Sequence, residues 1–248
     1  MKRLLDIAAT AIGLILLSPV IIGVGILVFL QDRHSPLYVA ARAARGGGTF
    51  RMMKFRSMVV RADATGVDST AGDDPRITRL GRLIRRFKLD ELPQLFNVLR
   101  GDMSLVGPRP NVLRETALYT PDEARLLSVR PGITDIASIV FADEAEILRG
   151  SSDPDLLYNQ VIRPWKSRLG LLYVERSGGV LLDLKIIALT IAAILDRSAA
   201  LRRAAQIVSE LGGGEELAAV AARTGRLRPA PPPGAGAVVQ SRELAHAV

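Results

Sequence analysis

Cysteine is absent from the 248 residues, which excludes disulfides, thiolate zinc sites and cysteine nucleophiles. That absence is silent on compartment, because cytosolic proteins need no disulfides. Aromatic residues make up 4% of the chain, too few for the stacking platforms of RNA or single-strand binders. Histidine occurs twice, as His34 and His246, and neither has a metal-ligand partner at a useful spacing. The glycine runs at 46–48 and 212–214 match neither a Walker motif nor a dinucleotide fingerprint. Long uncharged runs are scarce too. Only Ile7 to Leu30 is long enough to cross a bilayer, so a multi-spanning lipid phosphotransferase is excluded.

Positive charge, by contrast, is plentiful. The chain has 33 Lys+Arg against 25 Asp+Glu, a formal net charge of +8, which favours an anionic partner. Nucleic acid is set aside, since charge alone speaks for it and no motif does. Anionic membrane lipids and phosphorylated substrates remain. As a straight helix, Ile7 to Leu30 would extend roughly 36 Å, enough for a hydrocarbon core of about 30 Å. The run is too long for a signal-peptide h-region, and no small-residue cleavage site precedes Gln31. Lys2 and Arg3 lie before it, and Arg33, Arg42, Arg45, Arg51, Lys54 and Arg56 lie after it. Positive residues prefer the cytoplasmic side, and here both flanks are positive. A re-entrant helix, broken at Ser18-Pro19 and returning to the same face, satisfies both flanks. A spanning helix with a proline kink is the alternative. The Ser18 hydroxyl is placed to bond a carbonyl freed by the proline.

Beyond this segment, Leu37-Tyr38-Val39 and Phe50 to Phe55 flank Gly46-Gly47-Gly48 and predict a β-hairpin. Ala62 to Pro75 is polar and predicts a mobile loop. Arg76 to Phe87 places Ile77, Leu80, Ile84 and Phe87 on one helical face and Arg79, Arg82 and Arg86 on another, as in a basic interfacial helix. Leu92 to Leu99 predicts a helix, Arg130 to Thr134 a turn, and Asp143 to Leu148 the start of another helix. Val180 to Leu195 is apolar but carries Asp183 and Lys185, which suits a core or interfacial helix. Ala199 to Leu211 repeats at helical spacing, and the Pro/Gly/Ala-rich tail from Arg226 predicts disorder. The expected fold class is α+β and predominantly helical. It has three parts: a re-entrant membrane helix over 1–30, a compact cytosolic catalytic core over 31–198, and a helical extension with a disordered tail over 199–248. The core would contain a small β-hairpin and interfacial amphipathic helices.

The chemistry concentrates between Arg85 and Pro110. Asp90 reads as a helix N-cap and Glu91 as a first-turn acid, a placement that structure alone would explain. A carboxylate there also stays ionised, as a carboxylate nucleophile must, and the same place suits phosphate. Phosphoryl transfer needs charge neutralised on the nonbridging oxygens, normally by Mg2+ on one or two carboxylates. Asp90 and Glu91 are candidates for both the catalytic pair and the metal ligands. Arg85, Arg86, Lys88 and Arg109 are suited to clamp the remaining oxygens.

Several further stretches join these residues in one pattern: Lys2 to Asp6, Ser18-Pro19, Lys54 to Met58, Asp74 to Gly81, Leu89 to Leu95, Gly101 to Pro110, Arg130 to Thr134 and Leu182 to Ile186. Together they resemble the bacterial sugar transferase family, the monotopic phosphoglycosyl transferases that start polyprenol-linked glycan assembly. The resemblance covers about residues 1 to 195. It implies a helix broken at Ser18-Pro19 on the cytosolic face of the bacterial inner membrane. It also implies that Asp90 attacks the β-phosphate of a UDP-sugar, releasing UMP, and that undecaprenyl phosphate then displaces the sugar-phosphate. Glu91 would assist with magnesium or protons. Arg85 and Arg109 would bind phosphates, with Lys54, Arg56 and Lys88 in the same substrate-binding set. Two stretches depart from the family pattern. Arg42-Ala43-Ala44 stands where many members read Arg-Val-Gly, and Asp135-Ile136-Ala137-Ser138 where many read Gly-Leu/Trp-Ala-Gln. The second stretch is placed to touch sugar or nucleotide, so a family-typical sugar does not carry over. A non-catalytic basic peripheral membrane protein is the competing class, and a homodimer is compatible with either.

Overall fold

The absence of charge from Ile7 to Leu30 lets one helix run through the whole N-terminal segment. In the computed structural model, which describes residues 1–62, 73–177 and 179–241, α1 spans Lys2–Asp32. The helix assignment continues through Ser18-Pro19, with Pro19 inside it. Pro19 lacks the N–H that would bond the Ile15 carbonyl four residues earlier. Ser18 Oγ donates to that same carbonyl at 2.8 Å, which keeps the turn satisfied.

Both ends of α1 are fastened to the rest of the protein. Lys2 Nζ reaches Asp183 Oδ2 at 2.6 Å and the Val106 carbonyl at 3.0 Å. The Arg3 guanidinium donates to the Val98 and Leu99 carbonyls, and the buried Asp6 carboxylate accepts from Ser104 Oγ and Leu105 N. At the other end Val24 and Val28 pack with Phe55 and Ile84, and Arg56 holds Asp32 through two nitrogens. Between these anchors Ile12, Ile15, Leu16 and Ile22 are exposed.

The predicted hairpin is present. β1 (Leu37–Ala43) and β2 (Thr49–Phe55) pair antiparallel from Leu37↔Phe55 to Ala43↔Thr49, around Gly46 and Gly47 at positive φ. Most of the polar Ala62 to Pro75 stretch, residues 63–72, lies outside the described residues. Next come α2 (Arg79–Arg86), α3 (Gln94–Arg100), β3 (Ser104–Val106), α4 (Leu113–Thr116) and α5 (Pro121–Ala124). β4 (Gly132–Thr134) occupies the expected turn at Arg130 to Thr134 and pairs parallel to β3. The remainder is helical: α6 (Ile136–Val140), α7 (Glu144–Ile147), α8 (Pro154–Leu157), α9 (Arg163–Glu175), α10 (Val180–Leu195), α11 (Arg197–Glu210) and α12 (Gly214–Ala222). On α2 the expected apolar face is partly corrected. Ile77 and Ile84 are buried, but Phe87 falls just past the helix end and is exposed.

One core runs from α6 through α9 and α10 into α11 and α12, gathering Val140, Trp165, Tyr173, Ile186, Ile207 and Leu217. Ala204, Val208 and Ala221, from the extension expected beyond residue 199, are buried in that same core. The tail also departs from expectation. Its carbonyls accept from the core: Trp165 Nε1 to Arg228 O at 3.1 Å, Arg168 to Pro231 O at 3.0 Å, Thr120 to Pro233 O at 2.5 Å and Gln160 to Val239 O at 2.8 Å. Prolines pre-set an extended backbone, so ordering it against waiting donors costs less entropy than its composition suggests. Residues 242–248 lie outside the described residues.

Candidate active site

α2 begins at Thr78, whose hydroxyl accepts from Gly81 N at 2.8 Å, and its last turn carries Arg85 and Arg86. Lys88 then takes a left-handed conformation, φ 56°, and reverses the chain into a short 3₁₀ turn over Leu89–Glu91. Leu89 and Leu92 flank the dyad and pack into the cluster of Val24, Val28, Phe55 and Ile84, which seats the turn on the C-terminal half of α1. Asp90 is thus not the N-cap expected of it. Pro93 holds that position at the head of α3, and the 3₁₀ turn frees the Asp90 side chain from capping.

The two carboxylates have different surroundings. Arg109 holds Glu91 with both guanidinium ends, NH2 to Oε1 at 2.5 Å and NH1 to Oε2 at 3.2 Å. Lys54 Nζ, reaching in from β2, lies 3.5 Å from Glu91 Oε1 and 3.9 Å from Asp90 Oδ2. Asp90 Oδ1 is buried and has no hydrogen-bond partner. Burial pushes the Asp90 carboxyl above the usual carboxylate range, against the pull of Lys54, Arg85 and Lys88. Burial would raise Glu91 too, but Arg109 and Lys54 overcome it and hold that carboxyl well below its usual range. The Lys54 ammonium is itself drawn down by burial, with Glu91 opposing.

Backbone contact fixes the loop that delivers Arg109. Gly107 N donates to the Thr134 carbonyl and Gly132 N to the Pro108 carbonyl, each at 3.0 Å. A Cβ on Gly132 would stand 2.1 Å from Gly107 N, so only glycine permits this approach.

Of the residues expected here, Asp90, Glu91, Lys54 and Arg109 are brought into contact. Arg85 and Lys88 act on Asp90 through their charge. Neither forms an ion pair among the described residues, which leaves both available to phosphate. Arg56 does not join them. Its guanidinium is committed to Asp32 and the Ser35 carbonyl, because it pins the end of α1. Glu91 offers one oxygen to each Arg109 contact, which leaves a lone pair on each for a cation, so the metal reading of this residue stands as an expectation. Asp90 Oδ1 stays open to a cation. Among the described residues no cluster of three or more His, Cys, Asp or Glu side chains forms a metal cage. A magnesium ion needs only one or two carboxylates, here Asp90 and Glu91, when substrate phosphates complete its shell. Sequence reasoning missed Glu144 and Lys166, an ion pair whose acid acts on Arg109. No local pattern marks residues that act on Arg109 from so far along the chain.

The charge arrangement makes a testable demand. Lys54 favours the ionised form of Asp90, so Lys54→Met should raise the Asp90 pKa further. If Asp90 must be ionised to react, the acid limb of the activity–pH profile moves to higher pH in that variant. An unmoved limb would show that the Lys54 charge does not govern Asp90.

Residues 1–197 match the family described as bacterial sugar transferase. The UDP-glucose:undecaprenyl-phosphate glucose-1-phosphate transferase of Caulobacter vibrioides is 33% identical over 201 residues, covering 78% of this chain and 69% of that protein. The UDP-N-acetylgalactosamine-undecaprenyl-phosphate N-acetylgalactosaminephosphotransferase of Aeromonas hydrophila is 36% identical, over 66% of this chain and 40% of its own. The exopolysaccharide production protein PSS of Rhizobium leguminosarum bv. phaseoli is 34% identical, over 79% of this chain and 96% of its own. A match that extends from the N-terminal helix through the dyad and the arginine loop to the end of α10 places this chain in the bacterial sugar transferase family.

Proposed function

We propose that this protein transfers a sugar 1-phosphate from a UDP-sugar to undecaprenyl phosphate and releases UMP, as the first membrane step in assembling a polysaccharide or glycoconjugate. The observation that carries this reading is the free, desolvated Oδ1 of Asp90 beside a fixed set of cations. In the first step an Asp90 oxygen bonds the β-phosphorus while the bond from that phosphorus to the α,β-bridging oxygen breaks, and that oxygen leaves with UMP. In the second, a phosphate oxygen of undecaprenyl phosphate attacks the same phosphorus and Asp90 returns as a carboxylate. Arg85, Lys88 and Lys54 meet the phosphoryl oxygens. Glu91 keeps Arg109 oriented, so its part is positioning rather than proton transfer. Magnesium, held by Asp90 Oδ1 and the donor phosphates, would neutralise charge on the diphosphate.

The membrane arrangement has its own support. Both ends of α1 bury against the same body while its middle is exposed, as expected if the helix enters and leaves the bilayer on the cytosolic face. Exposed Leu181, Leu184, Ile191 and Ile194 of α10 add an apolar stripe suited to the acyl boundary. Arg79, Arg82 and Arg86 of α2 suit anionic headgroups. A merely docking protein gives no reason to desolvate two carboxylates side by side. In protein reconstituted in a bilayer with magnesium, UMP should be released over many turnovers when a UDP-sugar and undecaprenyl phosphate are both supplied, and up to about one equivalent per protein when undecaprenyl phosphate is withheld. If no UDP-sugar yields UMP, the proposal fails.

A further inference from the structure

Arg109 faces two neighbourhoods. Its guanidinium holds Glu91, and the residue also lines a pocket walled by Asn111, Tyr119, Asp135, Ser138, Tyr158 and Lys166. The chemistry of that pocket is not the chemistry of a phosphate site. Its ammonium, Lys166, is paired with Glu144, and Arg163 at its edge is paired with Glu123. Glu115 acts on the ring of Tyr158 nearby, and burial holds that carboxyl up at about 7. No strong surplus of positive charge is left for an anion.

The pocket does not suit a base platform either. The Tyr119 ring is already covered on one side by the Arg163 guanidinium, 5.5 Å from its centroid, and the Tyr158 ring by Lys166 at 5.3 Å. What it offers is a mixed set of donors and acceptors next to apolar ring edges. The Asn111 amide donates to Tyr119 Oη at 2.8 Å, which leaves the amide oxygen for a ligand. The Asp135 carboxyl is buried, and one of its oxygens accepts from Ser138 N at 2.6 Å to start α6. Ser138 Oγ is buried beside the Asp135 carboxyl and keeps capacity for a ligand. A polyhydroxylated ring asks for such a combination: neutral hydroxyls that give and take, a carboxyl that accepts, and little net charge.

We propose that this pocket seats the carbohydrate ring of the nucleotide donor, with Ser138 and Asp135 as the contacts that set which sugar is accepted. The proposal rests on the UDP-sugar reading above and deepens it. It places the sugar on the side of Arg109 away from Glu91 contact, with the diphosphate reaching back to Asp90.

The test separates pocket from reaction by measuring binding without turnover. Calorimetry on Asp90→Asn protein, with magnesium, compares UDP-glucose, UDP-galactose, UDP-N-acetylglucosamine, UDP-N-acetylgalactosamine and UMP. Ser138→Ala removes at most one contact with the Asp135 carboxyl, which keeps its Ser138 N partner, and Asp135→Asn keeps an acceptor for the α6 N-cap, so both variants should fold. On that background, Ser138→Ala should weaken the best donor roughly 3- to 10-fold, and Asp135→Asn about 10-fold or more. Both should narrow the ranking among the four sugars while leaving UMP within about twofold. Equal weakening of UMP would place uridine in the pocket and overturn the proposal, as would an unchanged ranking. UMP release by the unmodified protein is read separately, so failure of the transfer reaction is distinguishable from failure of the pocket.

Discussion

Asp90→Asn should abolish UMP release, lowering it by roughly four orders of magnitude or more, while leaving the fold and the membrane helix in place. The size of the effect follows from the role. An amide oxygen is a poor nucleophile toward phosphorus, and losing a covalent nucleophile typically costs that much. The fold should survive because Asp90 caps no helix, and its Oδ1 makes no hydrogen bond that the substitution would break. A UDP-sugar labelled in the sugar or β-phosphate should mark the unmodified protein when undecaprenyl phosphate is withheld, and should not mark the variant. Glu91→Gln should behave differently. It leaves the nucleophile and loosens Arg109, so label should still form, more slowly. A variant at position 90 that releases UMP at the ordinary rate would remove the covalent step from the account.

The largest effect on stability is expected far from the reaction, at Glu123. This carboxylate is fully buried and meets Arg163 through two nitrogens, Nε at 3.0 Å and NH2 at 2.5 Å. It also accepts from Ser167 Oγ and completes a capping box with Thr120 at the start of α5. Glu123→Gln keeps an amide oxygen for the cap but leaves the Arg163 guanidinium, 3% exposed, without its counter-charge. Leaving a buried charge uncompensated costs roughly 3–5 kcal/mol. For a chain of this size that corresponds to a fall of about 10 °C in the unfolding midpoint, measurable in detergent or nanodiscs. Removing the charge at both positions with residues of similar volume, Glu123→Gln with Arg163→Met, should recover much of the loss. If the double variant is as unstable as the sum of the singles, the pair is not what holds this region.

Much of the fold could be read from local pattern. The limits of α10 follow from an apolar run between Gly179 and Asp196, and the hairpin from two apolar stretches around a glycine turn. The dyad and Arg109 were legible because they lie in one dense motif. What was not legible depends on partners distant in the chain. Arg56 looked like a phosphate ligand until Asp32, 24 residues earlier, was found to hold it. Glu91, read from the sequence as a dyad acid, is also held by Arg109 from 18 residues away, a contact no local pattern shows. The tail looked disordered because its composition buries little apolar surface, yet its order comes from backbone carbonyls that meet Trp165, Arg168, Thr120 and Gln160. Composition describes side chains and cannot register a bond made by the main chain.

Because Leu89 and Leu92 share an apolar cluster with Val24 and Val28, the turn that carries Asp90 is packed onto the C-terminal half of the N-terminal helix. On the proposed membrane arrangement, Asp90 would therefore stand at a set height above the hydrocarbon, like a tool on a fixed arm. A thicker bilayer that lifts the helix lifts the reaction centre with it. The acceptor must accordingly present its phosphate at that level, whatever the length of the prenyl chain beneath.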